Sequence, residues 1–127
     1  MTIGLTVAAD GSKLPIQVIG KGNTARCLAK YELEKYKGNV LGTYSTKGWT
    51  TASTMIWYLD KVVLPYTKGQ LAVLTWDCYA CHLDSDVISH AHKNNLHIIP
   101  VPPGGTSTGC SQSNICKCYM CACEITR

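Results

Sequence analysis

The chain has 127 residues, of which 46% are hydrophobic and 16% charged, and its formal net charge is +4. This length and apolar content match one domain with a real core, and the lack of any run of about 20 apolar residues excludes a membrane span. The lysines and arginines are scattered, so the mild positive charge permits nucleic-acid contact without arguing for it.

The first part of the chain predicts three strands. Residues 2–9 alternate large apolar side chains with small ones, as a half-buried strand does. Asp10-Gly11 predicts a two-residue hairpin turn into a second strand over residues 14–19. Residues 25–37 fit a short helix and an irregular surface excursion equally well, and residues 40–44 predict a third strand.

The second part of the chain alternates helices and strands. Residues 51–64 carry apolar side chains at a period of about 3.6, which predicts a helix that Pro65 ends. Residues 71–76 form an apolar run typical of a strand buried on both faces. A helix over residues 87–95 and a strand over residues 96–101 follow. An antiparallel meander followed by βαβ units predicts an α/β domain with a mixed, RNase H-like sheet and helices on its faces.

Asp77 comes directly after the apolar run and is the first candidate site residue. A carboxylate at the C-terminal edge of a central strand clears the sheet into a crevice, where α/β folds place metal-binding and catalytic acids. The alternative is a turn residue that ends the strand and caps the segment after it.

Several short motifs occur in a specific order between residues 6 and 107. They are Ala8-Ala9-Asp10-Gly11-Ser12-Lys13-Leu14-Pro15, Ile19-Gly20-Lys21-Gly22, Gly48-Trp49-Thr50-Thr51, Leu74-Thr75-Trp76-Asp77 with His82-Leu83, and Pro103-Gly104-Gly105-Thr106-Ser107. Together they resemble the DDE superfamily endonuclease domain of pogo- and tigger-type transposases and of their domesticated relatives, the jerky and centromere-protein-B group.

The resemblance implies a nucleic-acid enzyme that depends on divalent metal. Asp77 would be the second acid of its catalytic triad and a ligand of Mg²⁺ or Mn²⁺, and His82 the neighbour that orients or contacts that acid. Phosphodiester chemistry with two metals needs several carboxylates, since the ions lie about 3.5–4 Å apart. The resemblance also implies DNA as partner and the nucleus as location, with the cytoplasm as the alternative.

The resemblance is incomplete at the other two acids. The family carries its first Asp on a strand upstream of the hairpin, and Ser113 or Asn114 stands where the third acid is expected. We therefore predict a partial endonuclease-like domain over residues 1–110, truncated at the N-terminus and catalytically inactive as this chain. Residues 111–127 are predicted to be a divergent cysteine-rich tail. Lys21 and Lys47 are the candidate nucleic-acid contacts.

The eight cysteines suggest two alternative functions. The N-terminus does not have the pattern of a secretory signal, so reduced thiols are expected rather than disulfides. Cys78-Tyr79-Ala80-Cys81-His82 matches the pattern of c-type haem attachment, with Met55 or Met120 as axial partner. Cys78-x-x-Cys81 and Cys118-x-x-Cys121 together could hold Zn²⁺ through four thiolates, as in a cysteine-rich zinc protein.

A third alternative is a non-catalytic protein-interaction module. If the strand that precedes the hairpin in the family is missing, the sheet has an exposed edge at that place. Exposed edges offer unpaired backbone groups to another strand. This alternative predicts a homo-oligomer formed by pairing across the edge.

Overall fold

The computed structural model describes residues 1–31, 33–36, 38–101 and 122–126, which form a mixed α/β domain. Six strands make one sheet in the order β3-β2-β1-β6-β4-β5. The strands are β1 Thr2–Ala8, β2 Ile16–Lys21, β3 Val40–Ser45, β4 Ala72–Asp77, β5 Leu96–Val101 and β6 Ala122–Thr126. The α-helices are α1 Ala52–Tyr58, α2 Leu64–Thr67 and α3 Ser85–Lys93, with a π-helix at Leu59–Val63 and 3₁₀-helices at Ala25–Tyr31 and Leu33–Tyr36.

Strands β1 and β2 form the predicted hairpin, but its loop has three residues instead of two. The amide of Ala8 bonds to the carbonyl of Ser12, and the amide of Gly11 bonds to the carbonyl of Ala8. Gly11 has a φ of 85°, in the region that glycine tolerates best. A three-residue loop that ends in such a residue is the next common hairpin turn after the two-residue forms.

The prediction of an antiparallel meander is wrong at the third strand, because β3 pairs with β2 in parallel, from Ile16↔Val40 to Lys21↔Ser45. Parallel neighbours need a long crossover connection, since the chain must return to the same end of the sheet. Residues 22–39 provide that connection, and the two 3₁₀-helices lie within it. The excursion that the sequence left ambiguous therefore decides the direction of β3.

The main helical segment runs from Ala52 to Thr67, so Pro65 does not end it as predicted. Thr51 caps its start, since the Thr51 hydroxyl accepts from the Thr54 amide and the Thr54 hydroxyl accepts from the Thr51 amide. Before the proline, the amide of Leu64 bonds to Leu59 five residues back, which interrupts the α-helical ladder. Pro65 then sits in the first turn of α2, where a missing N–H is tolerated. The segment ends at Lys68, whose φ is 53°.

Strands β4 and β5 are parallel, and α3 connects them, which confirms the predicted βαβ unit. Burial along β4 alternates, however, instead of being continuous. Ala72, Leu74 and Trp76 are buried, whereas the residues between them are only half-buried. The buried face of β4 joins the helices in one apolar core that includes Leu59, Val63 and Val87. Only one face of this strand is therefore closed off from solvent.

Strand β6 lies between β1 and β4, and the sequence did not predict it. It pairs in parallel with β1 from Leu5↔Ala122 to Ala8↔Ile125, and antiparallel with β4 from Val73↔Thr126 to Thr75↔Glu124. The exposed edge predicted beside the first hairpin strand is thus occupied by residues from the cysteine-rich segment. The short helix predicted from Ser111 and the boundary at residue 110 lie outside the described residues. No helix among the described residues combines the length and apolarity that crossing a bilayer requires.

Candidate functional site

Asp77 is the last residue of β4, next to Val101 at the end of β5, as the apolar run predicted. Because β4 is flanked by β5 and β6, the carboxylate stands at the rim of the sheet and not at one of its outer edges. Its side chain is 39% exposed. Asp77, Tyr79 and His82 are called the acid rim below.

The acid rim is organised by a close contact between Asp77 and His82. The two side chains meet through His82 Nδ1 and Asp77 Oδ1, 2.6 Å apart. A carboxylate can only accept, so Nδ1 carries the proton and donates it. The amide of Tyr79 also points at Asp77 Oδ1, at 3.4 Å, in the manner of a turn stabilised by an aspartate. Asp77 thus accepts from the turn that follows β4, as the turn alternative predicted, and also contacts His82, the other residue of the family-like motif.

His82 is nearly completely buried, with 5% of its side chain exposed. Its ring stacks on Trp76 at a centroid distance of 4.9 Å and an interplanar angle of 21°, and Tyr79 meets it edge-on at 5.9 Å. Packing and the hydrogen bond to Asp77 thus both fix the imidazole. The buried His82 therefore fixes the position of the more exposed Asp77 carboxylate.

The cavity at the acid rim is small. Its volume is about 30 Å³, and Thr6, Tyr58, Asp77, Tyr79 and His82 contribute to its wall. The hydroxyl groups of Thr6 and Tyr58 are hydrogen-bonded to each other there. A water molecule needs about 10–15 Å³ of such volume. This cavity therefore fits one or two waters and excludes a nucleotide.

The described residues do not fit a pair of divalent metal ions at the acid rim. Among them, no three His, Cys, Asp or Glu side chains lie close enough together to hold one ion. Mg²⁺ and Mn²⁺ prefer several oxygen ligands, and Asp77 Oδ1 already accepts from His82. Ser113 and Asn114, at the predicted place of the third acid, lie outside the described residues. The role of Asp77 as a metal ligand stays a prediction.

The cysteine motif forms a turn after β4. Cys78 Sγ donates to the carbonyl of Val101 at 3.0 Å, and Cys81 is half-buried beside the core. His82 faces Asp77 and Trp76, so Trp76 covers one side of the ring that an attached haem would need. Met55 is buried in the core. The second pair for zinc, Cys118 and Cys121, and the other haem partner, Met120, lie outside the described residues.

A second and larger cavity adjoins the acid rim. It is an open groove of about 710 Å³ that shares Thr50 and Tyr79 with the smaller cavity. Tyr44, Trp49 and Tyr79 line it, and we call it the aromatic groove. Trp49 is 54% and Tyr44 41% exposed. These two side chains are among the few large apolar ones at the surface of the described residues.

Lys47 lines the aromatic groove, and Lys21 directly precedes Gly22, which also lines it. Lys21 pairs with Ser45 in the β2–β3 ladder, and its backbone approaches Gly48 closely. The structure thus places the two predicted nucleic-acid contacts on adjacent segments. Sequence reasoning missed Tyr44 and Tyr79 as site residues. The Gly48-Trp49-Thr50-Thr51 motif did include Trp49, but it was interpreted as the start of a helix and not as part of a binding site.

Comparison with models of known protein families identifies the family of the chain. A family model described as DDE superfamily endonuclease matches residues 1–113. The match includes β1 to β5, the acid rim and the aromatic groove. Among curated proteins and among solved structures, no match was found.

Proposed function

Since the chain belongs to the DDE superfamily endonuclease family, we propose that it is a transposase-derived domain that binds DNA but does not cut it as this chain. The short motifs favour the pogo, tigger, jerky and centromere-protein-B branch, and with it a nuclear location. The β1–β2 hairpin and the β4-α3-β5 unit fit an RNase H-like arrangement. The parallel β3 and the inserted β6 differ from the arrangement that the sequence predicted.

One observation supports DNA binding above the others. The aromatic groove, which shares Thr50 and Tyr79 with the acid-rim cavity, has Lys47 on its wall, and among its described lining residues there is no Asp or Glu. Lys21 extends the positive charge along the neighbouring strand. Lysines that neutralise phosphates release counterions and so provide affinity without sequence preference. The net charge of +4 adds to the same effect.

The proposed lack of cleavage rests on Asp77. Two-metal catalysis needs carboxylates on both sides of the metal pair. The described residues bring no second carboxylate into a cluster with Asp77, and Oδ1 of Asp77 is engaged by His82. Asp77 is then a positioned remnant of the family site, a ligand for at most one loosely held cation.

DNA binding is tested with a fluorescein-labelled duplex and fluorescence anisotropy over a salt series. The double variant Lys21→Ala/Lys47→Ala is expected to bind about 3- to 30-fold more weakly, and the slope of log K against log salt should fall by about 2. The charge-matched control is Lys61→Ala/Lys68→Ala, since both lysines are exposed and neither lines the two cavities. Equal losses in both variants would show diffuse charge attraction instead of an interface at the groove.

Cleavage is tested separately with a supercoiled plasmid in Mg²⁺ and in Mn²⁺. We expect no nicking above that of the Asp77→Ala variant. Metal-dependent nicking that disappears in Asp77→Ala would overturn the inactive assignment and leave the DNA-binding assignment intact.

A further inference from the structure

We infer that the aromatic groove binds an unpaired base of single-stranded nucleic acid, stacked on Trp49 and Tyr44, with a neighbouring phosphate on Lys47. This inference rests on the proposed DNA-binding function and deepens it by naming the form of nucleic acid that the groove selects.

The aromatic groove is large enough to hold a base. Pockets that bury small organic ligands measure about 300–1,000 Å³. The groove, at about 710 Å³, lies inside this range, whereas the acid-rim cavity of about 30 Å³ does not. The groove is also open, so a base that enters it can stay attached to a backbone outside. A base paired in a duplex presents only its edge and leaves the rings of Trp49 and Tyr44 uncovered.

Two exposed aromatic side chains line the groove. Trp49 and Tyr44 are 54% and 41% exposed although the core could bury large rings, as it does with Tyr58 and Trp76. Clustered exposed apolar surface marks interaction sites more often than chance. Aromatic rings stack on every base, because every base has a π face.

The wall of the groove carries a positive charge. Lys47 is the cationic side chain among the described lining residues, and no carboxylate is among them. Aromatic grooves also bind proline-rich peptides. A wall that carries a lysine and, among its described residues, no carboxylate favours a ligand with a phosphate over an uncharged peptide. Thr51 and Ser53 line the same wall, and their hydroxyl groups are hydrogen-bonded to each other at 3.0 Å, which leaves one hydroxyl proton of the pair for a phosphate or base oxygen.

Hydrogen bonds hold the wall of the groove in place. The turn that carries Lys47 and Trp49 is held by three hydrogen bonds. Gly48 N donates to Ser45 O, the Ser45 hydroxyl donates to Trp49 O at 2.7 Å, and the Thr2 hydroxyl donates to Gly48 O at 2.8 Å. The last of these ties the turn to the first strand of the sheet. A platform held in place before binding loses less conformational entropy when a base stacks on it.

The experiment compares a fluorescein-labelled oligothymidylate of about 12 nucleotides with a duplex of the same length, by anisotropy at about 50 mM salt. Trp49→Ala is expected to weaken oligothymidylate binding about 10- to 100-fold and duplex binding less than about threefold. Trp49→Phe, which keeps a stacking ring, should recover most of the lost affinity. Ile99→Ala is the control, since Ile99 is equally exposed on β5 and lies outside the groove lining.

The outcomes separate this inference from the proposed function. Duplex binding by the unchanged chain together with no effect of Trp49→Ala on oligothymidylate overturns the base-stacking site and leaves DNA binding standing. Failure to bind either nucleic acid overturns both. Displacement of bound oligothymidylate by a decaproline peptide at lower concentration than by thymidine monophosphate would assign the groove to proline-rich segments instead.

Discussion

The acid rim and the aromatic groove lie side by side and share Tyr79, yet they are built in opposite ways. The acid rim has a buried imidazole, a hydrogen-bonded carboxylate and room for one or two waters. The groove has exposed rings, a lysine and a volume more than twenty times larger. Chemistry that would need a substrate at the acid rim has little space there. Binding that needs space and aromatic surface has both in the groove.

The contrast predicts different roles for the two regions. At the acid rim, side chains are satisfied by each other, so their main effect is on stability. In the groove, Trp49 and Tyr44 expose about half of their surface, so we expect substitutions of these two residues to act mainly on ligand binding. Substitutions in the two regions should therefore separate, with losses of stability from one and losses of affinity from the other.

The largest effect is expected for His82→Ala. The substitution removes a buried ring that stacks on Trp76 and donates to Asp77. A cavity and a carboxylate without its donor should together lower the free energy of unfolding by about 2–4 kcal/mol. Urea denaturation followed by circular dichroism measures it. Trp49→Ala in the groove is the matched comparison and should lower the free energy of unfolding by only about 1 kcal/mol, because the ring is half exposed. Similar losses in the two variants would contradict the division.

A smaller loss is expected for Gly48→Ala, which tests whether the groove is preorganised. Gly48 has a φ of 70°, and a Cβ there would lie 3.1 Å from the backbone nitrogen of Lys21. The strain should lower the free energy of unfolding by about 2 kcal/mol. Gly11→Ala is the control, because its φ is 85° but nothing lies within 4 Å of the added atom, so about 1 kcal/mol is expected. Urea denaturation compares the two.

Gly48→Ala should also weaken oligothymidylate binding several-fold, because the turn that carries Lys47 and Trp49 must shift. Gly11→Ala should leave the affinity unchanged. Normal affinity in Gly48→Ala would mean that the groove does not depend on the shape of this turn.

The smallest effect is expected for Asp77→Asn. The amide oxygen can still accept from His82, but the bond loses its charge assistance, which corresponds to about 1 kcal/mol in the free energy of unfolding. Affinity for oligothymidylate should stay the same or rise slightly, because a negative charge next to the groove is removed. Anisotropy and urea denaturation on the same preparation test both. A tenfold loss of affinity would instead make the carboxylate part of the binding site.

The sequence was sufficient to predict the elements with strong periodicity. The strand that ends at Asp77, the helix that follows Asp84 and the strand over residues 96–101 are found where the pattern placed them, within one or two residues. These segments combine an apolar period with flanking turn or cap residues, and both signals are local. The contact between Asp77 and His82 was also foreseeable from the family motif, because only a short turn separates the two residues.

The rest depends on contacts between distant residues, which local patterns do not carry. The direction of β3 is set by the path of residues 22–39, and the passage of Pro65 is permitted by a π turn that no composition rule marks. The aromatic groove is formed by the end of β3 and the turn after it, together with Tyr79, which lies far from both in the sequence. Strand β6 has no apolar alternation that stands out among the cysteines around it.

The position of β6 has a consequence for the order of folding. This strand lies between β1 and β4 in the sheet, but its pairing joins Leu5 to Ala122. Bringing such remote residues together costs chain entropy before any pairing rewards it, and contacts of this kind slow folding. We therefore expect the β1–β2–β3 and β4–β5 halves to form early, each from nearby segments. The small cavity at the acid rim, which has Thr6 on one side and Asp77 on the other, would then be completed only when the last strand docks.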